Sequence, residues 1–201
     1  MIKSDGVHCF ELRASLILAI GCLLTSAIAF CPAVIAQQKI CDGSDLPAPI
    51  QTLLKNKFPL MRPKQLMDMT VNGQQFWLKT HEKECPGIVI GDFESKDQLA
   101  YAVMLVSKAE PTGAYKLMVF SKGTKGDSYV SKQLNEVEGP VTYIDSSGLV
   151  ISKAPPGKYS DFLNTRSIQL SLDGIFLEWT TGSTDLFYFS AGKYLKLSVS
   201  E

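Results

Sequence analysis

From Ile168 onward the chain alternates apolar and polar residues with a period of two, broken only by short turn signals. Ile168, Leu170 and Leu172 alternate up to Asp173-Gly174, and Ile175, Leu177 and Trp179 alternate beyond it. A period of two sends successive side chains to opposite faces, so these segments read as strands with one face on a core. Asp-Gly favours the positive φ of a two-residue turn, which predicts that 168–172 pairs with 175–179. Gly182-Ser183-Thr184-Asp185 turns the chain into 186–190, and Ala191-Gly192 turns it into 194–200, with Leu195, Leu197 and Val199 inward. The C-terminal part therefore predicts an antiparallel meander with one buried face. Residues 186–190 are apolar on both faces, which means a strand covered on both sides or an exposed patch.

Upstream, short apolar runs separated by turn residues repeat the theme. Phe76-Trp77-Leu78 reads as a strand, and IVIGDF (88–93) reads as a hairpin with LAYAVMLV (99–106). KLMVFS (116–121) ends at the turn 123–127, after which Tyr129-Val130 continues. VTYID (141–145) and LVIS (149–152) flank Ser146-Ser147-Gly148 as a further hairpin, and Pro155-Pro156-Gly157 breaks the chain. One helix is legible: Ile50, Leu53, Leu54 and Phe58 share a face, Ser44 or Asp45 caps it and Pro59 ends it. The fold class is mainly β within α+β: an antiparallel meander sheet of about nine strands with one N-terminal helix.

The first 36 residues read differently. Lys3 and Arg13 precede a charge-free stretch from Ala14 to Gln38 that ends in small residues, the pattern of a secretory signal peptide. Cleavage fits after Ala36 or after Ala29, and an uncleaved anchor also meets the length of about 20 residues a bilayer requires. Cleavage after Ala36 is preferred. It leaves residues 37–201 as a single domain with near-zero net charge and two cysteines, Cys41 and Cys85. In an oxidising compartment that pair predicts one disulfide, closing a loop of about 45 residues and contributing ~3–4 kcal/mol. Localisation is accordingly periplasmic or secreted, with no membrane contact after cleavage. Balanced charge at 20% charged residues excludes the basic footprint of nucleic-acid binding.

Motifs for chemistry are scarce. His81 is the only histidine outside the leader, in THEKEC, and a general base also needs a nucleophile and an orienting acid. GTKGDS (123–128) lacks the spacing of a phosphate-binding loop and reads as a turn. Gly91-Asp92-Phe93, an acidic loop and Leu99–Val103 resemble the hairpin of integrin-type (FG-GAP) β-propeller repeats, which hold calcium. On that pattern Asp92 keeps the first ligand and Glu94 replaces the second. Lys96 occupies the third ligand position and Ala100 the last, where calcium wants oxygens. The stretches ECPG (84–87), 147–162 and 172–194 resemble small exported bacterial proteins of uncharacterised function, a resemblance that implies export and no activity.

No catalytic residue, cofactor or metal site is expected. A surface built from Trp77, Trp179, Tyr188 and Tyr194 is the candidate binding surface, for sugar stacking or protein contact. The leading expectation is an exported non-catalytic module that binds a protein or an envelope component. A narrower form is an immunity or enzyme-inhibitor protein presenting the loop 123–128 or 155–161. The rival is a carboxylate-based envelope hydrolase using Asp92, Glu94 and Asp97.

Overall fold

The computed structural model describes residues 41–81, 84–124, 128–137, 146–179 and 182–200. The leader at 1–36 and the VTYID segment at 141–145 lie outside them. In chain order the elements are α1 (Ala48–Lys57), β1 (Met61–Pro63), α2 (Val71–His81), β2 (Ile88–Gly91), β3 (Ala100–Ser107), β4 (Tyr115–Lys122) and β5 (Tyr129–Val137). There follow β6 (Leu149–Ala154), β7 (Gly157–Ser160), β8 (Ser167–Leu170), β9 (Gly174–Trp179), β10 (Thr184–Ser190) and β11 (Lys193–Ser200). The mainly β, antiparallel class holds. Among the described residues the strands form three sheets where one meander was expected, and a second helix joins the first.

The first sheet runs β1-β3-β4-β5, with β2 beside β1 along the same edge of β3. The second runs β11-β10-β9-β6. Their inner faces share one core. Ala102, Met104, Leu117 and Val119 of the first sheet meet Leu149, Ile151, Ile175, Leu177 and Phe187 of the second. β3 and β4 are apolar on both faces because each face is covered. Val103, Leu105, Met118 and Phe120 point the other way, where Ile50, Leu53, Leu54 and Phe58 of α1 pack on them. The predicted apolar face of α1 is therefore the one it buries. Its start differs: Pro47 holds the N-cap position without a side-chain cap, while the Ser44 N–H bonds back to Asp42 Oδ1 (2.9 Å).

The Asp173-Gly174 hairpin does not form. β8 pairs with β7, and β9 pairs with β6 and β10. The cause is the second apolar face of the C-terminal sheet. Leu186, Tyr188 and Leu197 need cover, and the β7–β8 ribbon supplies it through Tyr159, Ile168 and Leu170. A strand paired edge-on to β9 would leave that face in water. Asp173 is used elsewhere, its Oδ2 accepting the Asp92 N–H at 3.1 Å. By contrast the Ala191-Gly192 hairpin forms as expected. Both residues hold positive φ (49° and 81°), so β10 and β11 pair from Ser190↔Lys193 onward. The hairpins β2–β3 and β4–β5 form too.

Phe76-Trp77-Leu78 is not a strand but lies in the middle of α2. Thr70 caps that helix, its Oγ1 accepting the Gly73 N–H at 3.2 Å. Trp77 is 1% exposed and packs with Leu66, Met69 and Val150 beside β6. Cys41 and Cys85 are joined as a disulfide, both side chains buried. Next to it the chain passes so close that a β-carbon on Gly87 would fall 2.4 Å from the Lys64 carbonyl oxygen, which is why glycine stands there.

Between β1 and α2 lies an ion pair that no periodicity announces. Both terminal nitrogens of Arg62, Nη1 and Nη2, reach the Asp68 carboxylate at 2.6 Å, and the Gln65 N–H donates to the same group at 2.8 Å. Burial works to raise Asp68. The Arg62 hydrogen bonds, the Gln65 amide and the charges of Arg62 and Lys64 outweigh it, so the carboxyl lies below its ordinary 3.8. Its contribution to stability is thus complete above pH 3.8 and is lost as pH falls through the lowered value. Asp68→Ala strands a half-buried guanidinium and is expected to cost about 3 kcal/mol at neutral pH. Urea unfolding of the variant at pH 7 and pH 3 checks this, the difference from wild type shrinking at the lower pH.

Candidate functional site

The two main sheets meet differently along their two seams. On one side the Ile151 N–H bonds to the Pro86 carbonyl (2.9 Å), which joins β6 to the start of β2. On the other side the edge strands β5 and β11 face each other across a groove of about 530 Å³. Lys132, Leu134 and Asn135 of β5, where the register shifts opposite Leu117 and Met118, line this space together with Tyr194 and Lys196 of β11, and Gln133 and Lys193 add to its walls.

Its floor is tied together by charge. Lys132 Nζ reaches Glu94 Oε2 at 2.8 Å and lies 4.9 Å from the centre of the Phe189 ring. Phe189 and Tyr194 in turn meet edge to face. One lysine therefore joins the acidic β2–β3 loop, the first sheet and the second. Burial first, then the Glu94 carboxylate beside it, push the Tyr194 phenol well up. Glu94 Oε1 and the Tyr194 hydroxyl are both buried. Deeper in, Asn135 donates to the Tyr115 hydroxyl (3.1 Å), and burial followed by the charge of Asp185 raises that phenol. Asp185 itself holds Lys196 Nζ (3.1 Å) and the Ser198 hydroxyl (2.6 Å).

The four aromatics expected to make a binding surface do not come together. Trp77 is buried at α2 and Tyr188 is buried under the β7–β8 ribbon, where Arg166 donates to its hydroxyl at 3.1 Å. Trp179 is half-buried against the inner core. Tyr194 alone lines the groove. Size and aromaticity served burial here, as they most often do in a small β domain.

The acidic loop is also engaged. Asp92 Oδ2 accepts the Asp97 N–H (3.0 Å), Glu94 is spent on Lys132, and Asp97 is exposed with a φ of 60°. Phe93 of the Gly-Asp-Phe stretch is fully buried in the inner core. Among the described residues, no three acidic, histidine or cysteine side chains gather to hold a metal ion. His81 is the last residue of α2, where its ring stacks on Trp77 at 3.8 Å and its Nδ1 meets the Thr80 hydroxyl at 2.7 Å.

The loop expected at 155–161 is largely strand β7, and the exposed tip falls one step later. There Asp161 accepts from Thr165 N (2.7 Å), Thr165 Oγ1 (2.6 Å) and Arg166 N (3.1 Å), while its own carbonyl takes the Asn164 N–H (2.9 Å). The Thr165 hydroxyl and then the Arg166 amide hold the Asp161 carboxyl below its ordinary value. Asn164 takes a φ of 55°, and the Phe162 N–H anchors the turn to the Ser198 carbonyl of β11 (3.1 Å). On this frame Phe162 is 50% and Leu163 71% exposed. The loop at 123–128 has residues 125–127 outside the described set. Comparison of the chain with family models, curated proteins and solved structures returned no match.

Proposed function

We propose that this protein is an exported, non-catalytic binding module that engages a protein partner through the Phe162-Leu163 tip. One observation carries the reading: two adjacent large apolar side chains are held out to water on a turn fixed by five hydrogen bonds within the loop, Asp161 N–H to the Arg166 carbonyl being the fifth. Apolar side chains in a floppy loop lose rotamer and backbone freedom on docking. A preorganised tip has already lost it, which leaves more of the burial free energy for affinity. A protruding apolar tip fits a concave site, so a target enzyme's cleft is the narrower form of the same reading. Export to the periplasm or cell exterior is supported by the Cys41–Cys85 disulfide, a bond suited to an oxidising compartment.

A photo-crosslinking residue at position 163, expressed in the exporting cell, tests the proposal. A discrete adduct that disappears when Phe162→Asp is added, and that a crosslinker at Lys79 does not give, is the expected result. Indiscriminate labelling at both positions would sink the reading. Asp161→Ala, which frees the turn without touching the apolar pair, is expected to weaken adduct formation several-fold.

A further inference from the structure

The groove between β5 and β11 stands on other residues and carries a separate reading. Three lysines line it, Lys132, Lys193 and Lys196, and among the described residues no carboxylate does. The nearby acids, Glu94 and Asp185, are paired to Lys132 and Lys196. Each lysine ammonium has three donors. Lys132 spends one on Glu94 and Lys196 one on Asp185, so each keeps donors for the groove, and Lys193 has no ion-pair partner among the described residues. The Gln133 carboxamide and the Tyr194 ring add a neutral polar group and an aromatic wall.

The geometry points to an acidic oligosaccharide as the ligand of this groove, a short chain of sugars bearing carboxylates. Several features favour a sugar acid over a bare anion. The space is an open trough between two strand edges and not a closed anion cage, its volume lies in the range of small-molecule sites, and it offers an amide for hydroxyls beside a ring for a sugar face. Lysines supply the charge as separate points along the trough, which suits carboxylates spaced along a chain better than one planar anion. The near-zero net charge of the chain argues against a general polyanion binder, because no net positive field surrounds the molecule.

Titration of the full exported protein with a trigalacturonate, followed by amide chemical shifts and calorimetry, tests the inference. Binding with shifts centred on Lys132, Lys193, Tyr194 and Lys196 is expected, weakening as salt rises. Lys193→Glu is expected to weaken it about tenfold, because a like charge is placed in the trough. Lys79→Glu, the same change of net charge on exposed α2, is expected to leave it unaltered. Equal binding of neutral maltotriose would overturn the proposal by removing the role of charge. Equal binding of short-chain polyphosphate would overturn it by removing the role of the sugar, and a folded Lys193→Glu protein that binds as well as wild type would overturn it by removing the site. None of these three results bears on the Phe162-Leu163 tip.

Discussion

Replacing Cys41 and Cys85 together by serine is expected to lower the unfolding free energy by about 4 kcal/mol. The bond spans 44 residues, and closing a loop of that length removes roughly this much chain entropy from the unfolded state. The loop contains α1, β1 and α2, the three elements least able to hold themselves. α1 has ten residues, below the length at which a helix persists alone, and depends on the Ile50 face lying against β3 and β4. β1 has three residues. A tether at Cys41 keeps this whole segment near its docking surface when it detaches. Guanidinium unfolding of wild type and double variant measures the loss, and wild type under strong reductant should fall to the variant's midpoint. A loss below about 1 kcal/mol would mean that the segment is held by its packing and that closure of the loop adds little.

What was legible in the sequence follows from how local each signal is. The Ala191-Gly192 turn and the alternation of Leu195, Leu197 and Val199 describe one hairpin completely, and β10–β11 is that hairpin. Asp173-Gly174 carries an equally strong local signal, yet the two-sided apolar strand at 186–190 needed a covering layer, so β8 went to β7. That decision depends on contacts far apart in sequence. Thr70 three residues before Gly73 was a readable cap for α2, but the aromatic run 76–78 drew the segment toward a strand. The groove was half legible. Placing Leu195 and Leu197 on one face puts Tyr194 and Lys196 on the other, and only the sandwich shows that this other face opens beside β5. The Arg62–Asp68 pair had no pattern to announce it, since its geometry depends on a three-residue strand and one turn.

Trp77→Ala carries the second large effect, about 4 kcal/mol, from lost burial and the cavity left behind. The side chain does three jobs at once: it fills the space between Leu66, Met69 and Val150, stacks under His81, and donates its Nε1–H to the Glu84 carbonyl at 3.0 Å. α2 has few other attachments. Gly73 is its one other buried residue, and Val71, Phe76 and Leu78 face water. Removal of the ring therefore releases the helix before it unfolds the sandwich. Amide exchange across 71–81 is expected to speed up at least 100-fold, a fold-change equal to roughly 2.7 kcal/mol of local opening, while β3 and β4 keep most of their protection. Trp77→Phe keeps most of the packing and loses the indole donor, so its cost is expected near 1–2 kcal/mol. Equal acceleration in α2 and β3 would show that the helix and the sandwich open as one unit, and that Trp77 belongs to the core it borders.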